Sequence, residues 1–182
     1  MSLLPAFNEN GYVLMQGLIP HALCELIVRT SHLGPLSSGK DPIEEQESYI
    51  IYGSPHGDAL LEMVKEAIEP VLEPLYPTYS FFRTYKRGST LQMHTDRPSC
   101  EVSVSIALNQ NNWGFDFVDF HGNHKTAHLN AGDGILYQGM HVTHGRKDKL
   151  EEYASSHIFL HYVRQGGEYT EFKYDKRERL GV

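Results

Sequence analysis

The sequence predicts a mostly β protein, a sandwich or barrel with two helices packed against it. Three observations carry that prediction. Helical spacing of apolar residues is confined to the chain before Pro70. From Tyr79 onward short apolar runs alternate with polar residues, and Gly and Asn divide them. The clearest run is 101–109, where Val102, Val104, Ile106 and Leu108 alternate with Glu101, Ser103, Ser105 and Ala107. That is the pattern of a strand in a sheet packed on one side.

In chain order, residues 7–19, around Gly11-Tyr12-Val13-Leu14-Met15, read as an entry turn and a short first strand. Pro20 opens a helix, where its missing N–H costs nothing. Ala22, Leu23, Leu26 and Ile27 form its apolar stripe, and Gly34-Pro35 stops it. Residues 36–47 are polar and marked by Gly and Pro, a loop; Tyr49-Ile50-Ile51-Tyr52 is a short strand. Ser54-Pro55 starts the second helix as N-cap and first-turn proline. Leu60, Leu61, Val64, Ala67 and Ile68 follow on one face before Pro70, Pro74 and Pro77 break the chain. Strands are then expected at 79–86, 90–95, 101–109, 115–120, 125–129, 134–138, 141–145, 156–163 and 168–174. No repeat, low-complexity tract or linker interrupts the series. Residues 1–182 therefore read as one domain, helical support over about 1–78 and barrel over about 79–174.

The net charge is −7 and no block of Lys and Arg occurs, so nucleic acid and anionic membranes are not the expected partners. Cys24 and Cys100 are too few for a disulfide framework and read as reduced thiols. The N-terminus lacks the pattern of a signal peptide, and no run approaches the roughly 20 apolar residues of a membrane span. A soluble cytoplasmic protein is expected.

Chemistry concentrates in Leu91-Gln92-Met93-His94-Thr95-Asp96. His94 and Asp96, two apart in a strand-like run, point the same way. His144, in Val142-Thr143-His144-Gly145-Arg146, adds a third donor from a distant strand. Two His and one carboxylate with open positions form the ligand set of non-haem ferrous oxygenases. Spacing alone does not choose between that reading and ordinary polar residues at strand ends. His121, His124 and His128 read as an exposed hairpin tip. His141 faces away from His144 in a regular strand. His157 and His161 share a strand face with Phe159, behind the ligands or simply packed.

The run from Tyr79 to Gly88 and the run from His94 to Glu101 resemble the 2-oxoglutarate- and ferrous-iron-dependent dioxygenases. The nearer likeness is to a prolyl-hydroxylase-like bacterial and phage subgroup. Gly132-Asp133 through Tyr137 and Gly139, His144-Gly145-Arg146 and Phe159-Leu160-His161-Tyr162 follow in the same order. Gly11-Tyr12-Val13 and Tyr174 to Arg177 extend the likeness over nearly the whole chain. The resemblance implies a double-stranded β-helix, a jelly-roll or cupin-like barrel with N-terminal helices on one sheet. It implies His94, Asp96 and His144 as Fe(II) ligands, with 2-oxoglutarate as cosubstrate and O2 as oxidant. Tyr85 is implied as a hydrogen-bond donor to the cosubstrate.

The chain departs from that pattern in two places. The family's Lys or Arg about ten residues after the distal His is missing, since position 154 is Ala154. Arg146 is the first candidate to hold the distal carboxylate; Arg83, Arg97 and His157 follow. Relatives carry Trp where this chain has Gly145, which implies space beside the iron or an altered substrate side. Asp96 itself favours hydroxylation over halogenation, with desaturation and ring formation left open. Arg97, Glu101 and Trp113, with Tyr49 and Tyr52, are expected near the mouth and suit a small amino-acid-like, peptide or carrier-bound substrate. Two other classes stay open: a non-catalytic barrel that binds a small ligand or metal, and a zinc hydrolase built on the same three side chains.

Overall fold

The computed structural model describes residues 4–33, 37–39 and 48–181. Three helices are present among them: α1 (Leu4–Asn10), α2 (His21–Leu33) and α3 (Pro55–Ile68). The first strands are β1 (Tyr12–Met15), β2 (Ser37–Gly39), β3 (Ser48–Tyr52), β4 (Leu75–Lys86), β5 (Leu91–His94) and β6 (Val102–Ala107). They are followed by β7 (Phe115–Val118), β8 (His124–Ala127), β9 (Gly134–Tyr137), β10 (His144–Arg146) and β11 (Ala154–Arg164). One sheet runs β1-β9-β6-β11-β4-β3-β2 and the other β5-β10-β7-β8. Every pairing is antiparallel. This is the double-stranded β-helix.

Strand parity divides the larger sheet into two functional faces. Phe82, Val104, Ile106, Ile158, Leu160 and Tyr162 face one way and join Leu60, Leu61, Val64 and Ile68 of α3 in the main core. Ser54 caps α3, accepting from the Gly57 N–H at 3.2 Å. The opposite face looks into the barrel: Tyr79, Phe81, Arg83 and Tyr85 from β4, and Phe159 and His161 from β11, line its cavity. The helices thus back one sheet, and the site grows from that sheet's other side.

Several expectations need correction. The strand at 101–109 is buried on both faces rather than one, because β6 lies centrally between β9 and β11. Its small polar side, Ser103 and Ser105, faces the barrel interior instead of water. The stretch 168–174 is no strand; Thr170–Lys176 forms 3-10 turns that kink within. Residues 4–10, unexpected as a helix, form α1 around a single buried anchor, Phe7. In α2 the buried positions are Cys24, Ile27 and Ser31, while Leu26 is exposed. Within the expected loop 36–47, Ser37–Gly39 pairs with β3, and 36 and 40–47 lie outside the described residues. The expected stop at Gly34-Pro35 also lies outside them. Among the described residues, no helix is long and apolar enough to cross a membrane.

Candidate metal centre

The antiparallel pairing of β5 with β10 sets His144 directly opposite His94. Chain segments fifty residues apart thereby present two imidazoles side by side, with ring centroids 4.4 Å apart. Asp96 follows β5, its backbone N–H donating to the Gly139 carbonyl at 2.8 Å. Its Oδ1 lies 3.7 Å from His94 Nε2 and 3.6 Å from His144 Nε2. Two donors each about 2.0–2.2 Å from one ion can be that far apart. One donor atom from each residue lies within 4.8 Å of the others.

Hydrogen bonds fix which atoms face the centre. His94 Nδ1 sits 2.8 Å from the Gln92 carbonyl and His144 Nδ1 sits 2.9 Å from the Val142 carbonyl. A carbonyl only accepts, so each Nδ1 carries the proton and each Nε2 presents its lone pair. On the carboxylate, Oδ2 is taken up from behind: the Ser103 hydroxyl donates to it at 3.2 Å. A side chain at Gly139 would place its Cβ 2.6 Å from Oδ2, so the loop packs tightly there. Ser103 also contacts His161 Nδ1 at 2.9 Å. Oδ1 is left as the donor shared with the imidazoles.

Burial governs the protonation states. It pushes the Asp96 carboxyl up to about 6 and pulls His144 down to about 4; His94 is also lowered by burial and by its neighbour His144. At neutral pH the centre is one carboxylate and two neutral imidazoles, the states that bind a divalent ion. The donor set therefore fits a metal of the two-His-one-carboxylate type.

A cavity of about 130 Å³ opens onto these donors, bounded also by Leu91, Phe115 and Tyr137. At one end lies Arg146, 2% exposed. Its guanidinium stacks 4.7 Å over Trp113 and donates to the Trp113 carbonyl at 2.7 Å and to His157 Nδ1 at 3.2 Å. Because arginine only donates, His157 accepts at Nδ1, and its Nε2 proton is directed to the Ser155 hydroxyl at 2.7 Å. Burial holds Arg146 down to about 10, which leaves it charged at neutral pH. Tyr85 packs edge-on against Trp113 at 4.9 Å in the same corner. The three residues expected around a cosubstrate, Tyr85, Arg146 and His157, thus meet at one place.

The expected substrate contacts need correction. Trp113 is 5% exposed and packs against the Arg146 guanidinium rather than lining the cavity. Glu101 is bound to Arg164, accepting from its side chain at 2.7 Å and its backbone N–H at 2.8 Å, and does not line the cavity. Arg97 does not line the cavity either; its guanidinium lies over the ring of Tyr79, which does, and is bound to Asp175. Gly145 opens no space: a Cβ there would meet the backbone oxygens of Leu91 and Gln92 at 2.7 and 2.8 Å. The missing side chain lets β10 approach β5. His121, His124, His128 and His141 are exposed. Sequence reading overlooked Tyr137, whose hydroxyl lies 3.4 Å from His144 Nε2, and Ser103. Parity on β9 and β6 was the available signal for both, masked on β6 by an assumed solvent face.

No family model matches the chain, and no curated protein matches it. Solved structures do. A Pseudomonas putida prolyl-4-hydroxylase is 17% identical over 89% of this chain and 97% of its own, with a TM-score of 0.70. A Burkholderia pseudomallei oxidoreductase of the 2OG-Fe(II) oxygenase family is 14% identical, with 90% of each chain covered and a TM-score of 0.74. HygX from Streptomyces hygroscopicus, solved with nickel and 2-oxoglutarate bound, is 15% identical over 89% of this chain and 86% of its own, with a TM-score of 0.69. The chain has the fold of the 2-oxoglutarate- and iron(II)-dependent oxygenases.

Proposed function

We propose that the chain, sharing that fold, is an Fe(II)- and 2-oxoglutarate-dependent oxygenase acting as a single domain. In this reading it hydroxylates an unactivated C–H bond of an amino acid, peptide or carrier-bound small molecule. The observation that carries the reading is the convergence of two proton-fixed imidazoles and one partly buried carboxylate on a cavity that Arg146 also lines. His94, Asp96 and His144 would hold the iron. When bound, the iron, cosubstrate and dioxygen supply the oxidising power, with succinate and carbon dioxide as coproducts.

The remaining steps belong to the chain's own side chains. Arg146 neutralises the distal carboxylate of 2-oxoglutarate, a buried charge that needs a charged partner. Trp113 and His157 hold its planar fork in place, and Tyr85 bounds the same corner. Leu91, Phe115 and Phe159 keep the cavity walls apolar and limit water. Ser103 holds Asp96 so that only Oδ1 faces the imidazoles.

The buried thiols Cys24 and Cys100 suit the reducing cytoplasm proposed as its setting. Succinate release from 2-oxoglutarate by the Fe(II)-loaded protein, screened with acylated amino acids and short peptides, tests the activity. A substrate-stimulated rate absent in His144→Ala supports it. Full activity of an iron-free, zinc-loaded protein would refute it.

A further inference from the structure

The C-terminal segment Thr170–Lys176 lies against β4, the strand whose Tyr79 lines the cavity, yet buries none of its residues. Polar contacts hold it. The Asp175 carboxylate accepts both arms of the Arg97 fork, at 3.0 Å (Nη1 to Oδ1) and 2.8 Å (Nη2 to Oδ2), and the Tyr52 hydroxyl donates to Oδ2. Arg97 directly follows the metal-centre residue Asp96. Its guanidinium lies 4.8 Å over the ring of Tyr79. That ring lines the cavity and stacks on Tyr52 at 5.0 Å. Rim and metal centre are thus joined through one aromatic wall.

The backbone that delivers this carboxylate is strained. Tyr174, Asp175 and Lys176 have φ of 55°, 53° and 63°. Three consecutive non-glycine residues in the left-handed region are uncommon, and such strain persists only where other contacts hold it. The contacts here are an ion pair whose arginine side chain is 51% exposed. Pairs of that kind contribute little net stability. Arg177, paired with the buried Asp58, anchors the chain just beyond, so displacing Asp175 asks only the strained tip to move, against an ion pair exposed on its arginine side.

We propose that Arg97, Tyr52 and Tyr79 form a carboxylate subsite at the rim of the metal cavity, filled in the resting chain by Asp175. A substrate carboxylate takes its place, with Asp175 marking the position. Calling the ligand a substrate rests on the oxygenase reading above. The class of ligand follows from the fit: a planar two-oxygen group matches a guanidinium fork. A single hydroxyl donor then completes one oxygen, and the ring of Tyr79 supports the adjoining carbons on the path inward.

The test is calorimetric titration of metal-free protein with N-acetylglycine and with its neutral amide, N-acetylglycinamide. Without metal, the acid cannot bind by chelation. Asp175→Ala should bind the acid at least tenfold more tightly than the unaltered protein and bind the amide no better. The gain should vanish in Asp175→Ala combined with Arg97→Gln. Asp175→Asn, which keeps the side-chain volume should truncation release the segment, must show the same preference for the acid. Equal binding of acid and amide, no gain in either variant, or a gain that survives loss of Arg97 would overturn the subsite. Succinate formation is not read in this titration, so its failure leaves the oxygenase reading standing.

Discussion

At the scale of single residues, a few side chains around the metal centre have neighbours that fix their orientation. Arg146 donates to a carbonyl and to a neutral imidazole while its face lies on Trp113. Lysine cannot reproduce that fork. Arg146→Lys should therefore raise the half-saturating concentration of 2-oxoglutarate about 10- to 100-fold, by the ~1.5–3 kcal/mol of a charged hydrogen bond. Metal affinity should stay unchanged, which titration with Fe(II) alone would check. The donors also predict a pH dependence. Protons compete with metal at Asp96, raised to about 6, and at His144, lowered to about 4. Affinity should be flat above pH 6, fall by about tenfold per unit as Asp96 takes up its proton, and fall more steeply below pH 4. A loss of affinity already centred above pH 7 would contradict this assignment. His94, Asp96 and His144 could be singled out by residue type and chain order, but spacing alone left ordinary strand-end residues open; only the pairing of β5 with β10 brings their donor atoms together. Ser103 and Tyr137 were not, since their inward direction depends on which face of β6 and β9 meets the barrel.

At the scale of elements, two glycines set how closely strands and loops approach the metal centre. A Cβ at Gly139 would stand 2.2 Å from the Cys100 carbonyl and 2.6 Å from Asp96 Oδ2. Gly139→Ala should cost about 1–3 kcal/mol of stability through overpacking. It should also weaken metal binding by tenfold or more, because the carboxylate must move. Gly145→Ala presses on the backbone of β5 and should separate β5 from β10, with a similar loss of stability in denaturant titration. The long elements were readable in part: α3 from its cap and apolar spacing, β11 and the 79–86 part of β4 from alternation, whereas Leu75–Thr78 was missed because Pro77, which lies inside β4 opposite Tyr162, reads as a break. Two of the failures share a cause, too little buried surface to leave a pattern. Helix α1 rests on Phe7 alone, and Thr170–Lys176 buries nothing, so its alternating aromatics imitate a strand.

At the scale of the molecule, the metal centre ties together strands that neither sequence proximity nor the main core unites. His94 and Asp96 flank the end of β5, whereas His144 comes from β10, and both belong to the smaller sheet. A ligand that binds only the folded state stabilises it by mass action. Saturating Ni(II), an oxygen-inert stand-in, should raise the melting temperature of the unaltered protein by several degrees and leave that of His94→Ala unchanged. The overall fold was legible as a barrel with leading helices because strand spacing is regular after Tyr79. The order of strands in the sheets was not, since long-range pairing leaves no local signal. The central claim is that this barrel holds iron and 2-oxoglutarate together, and anaerobic titration of the purified protein with both is its most direct test. The account predicts a weak visible charge-transfer band that saturates at one equivalent and is lost in His94→Ala. No band under saturating iron and 2-oxoglutarate, with one equivalent of zinc retained from purification, would contradict it.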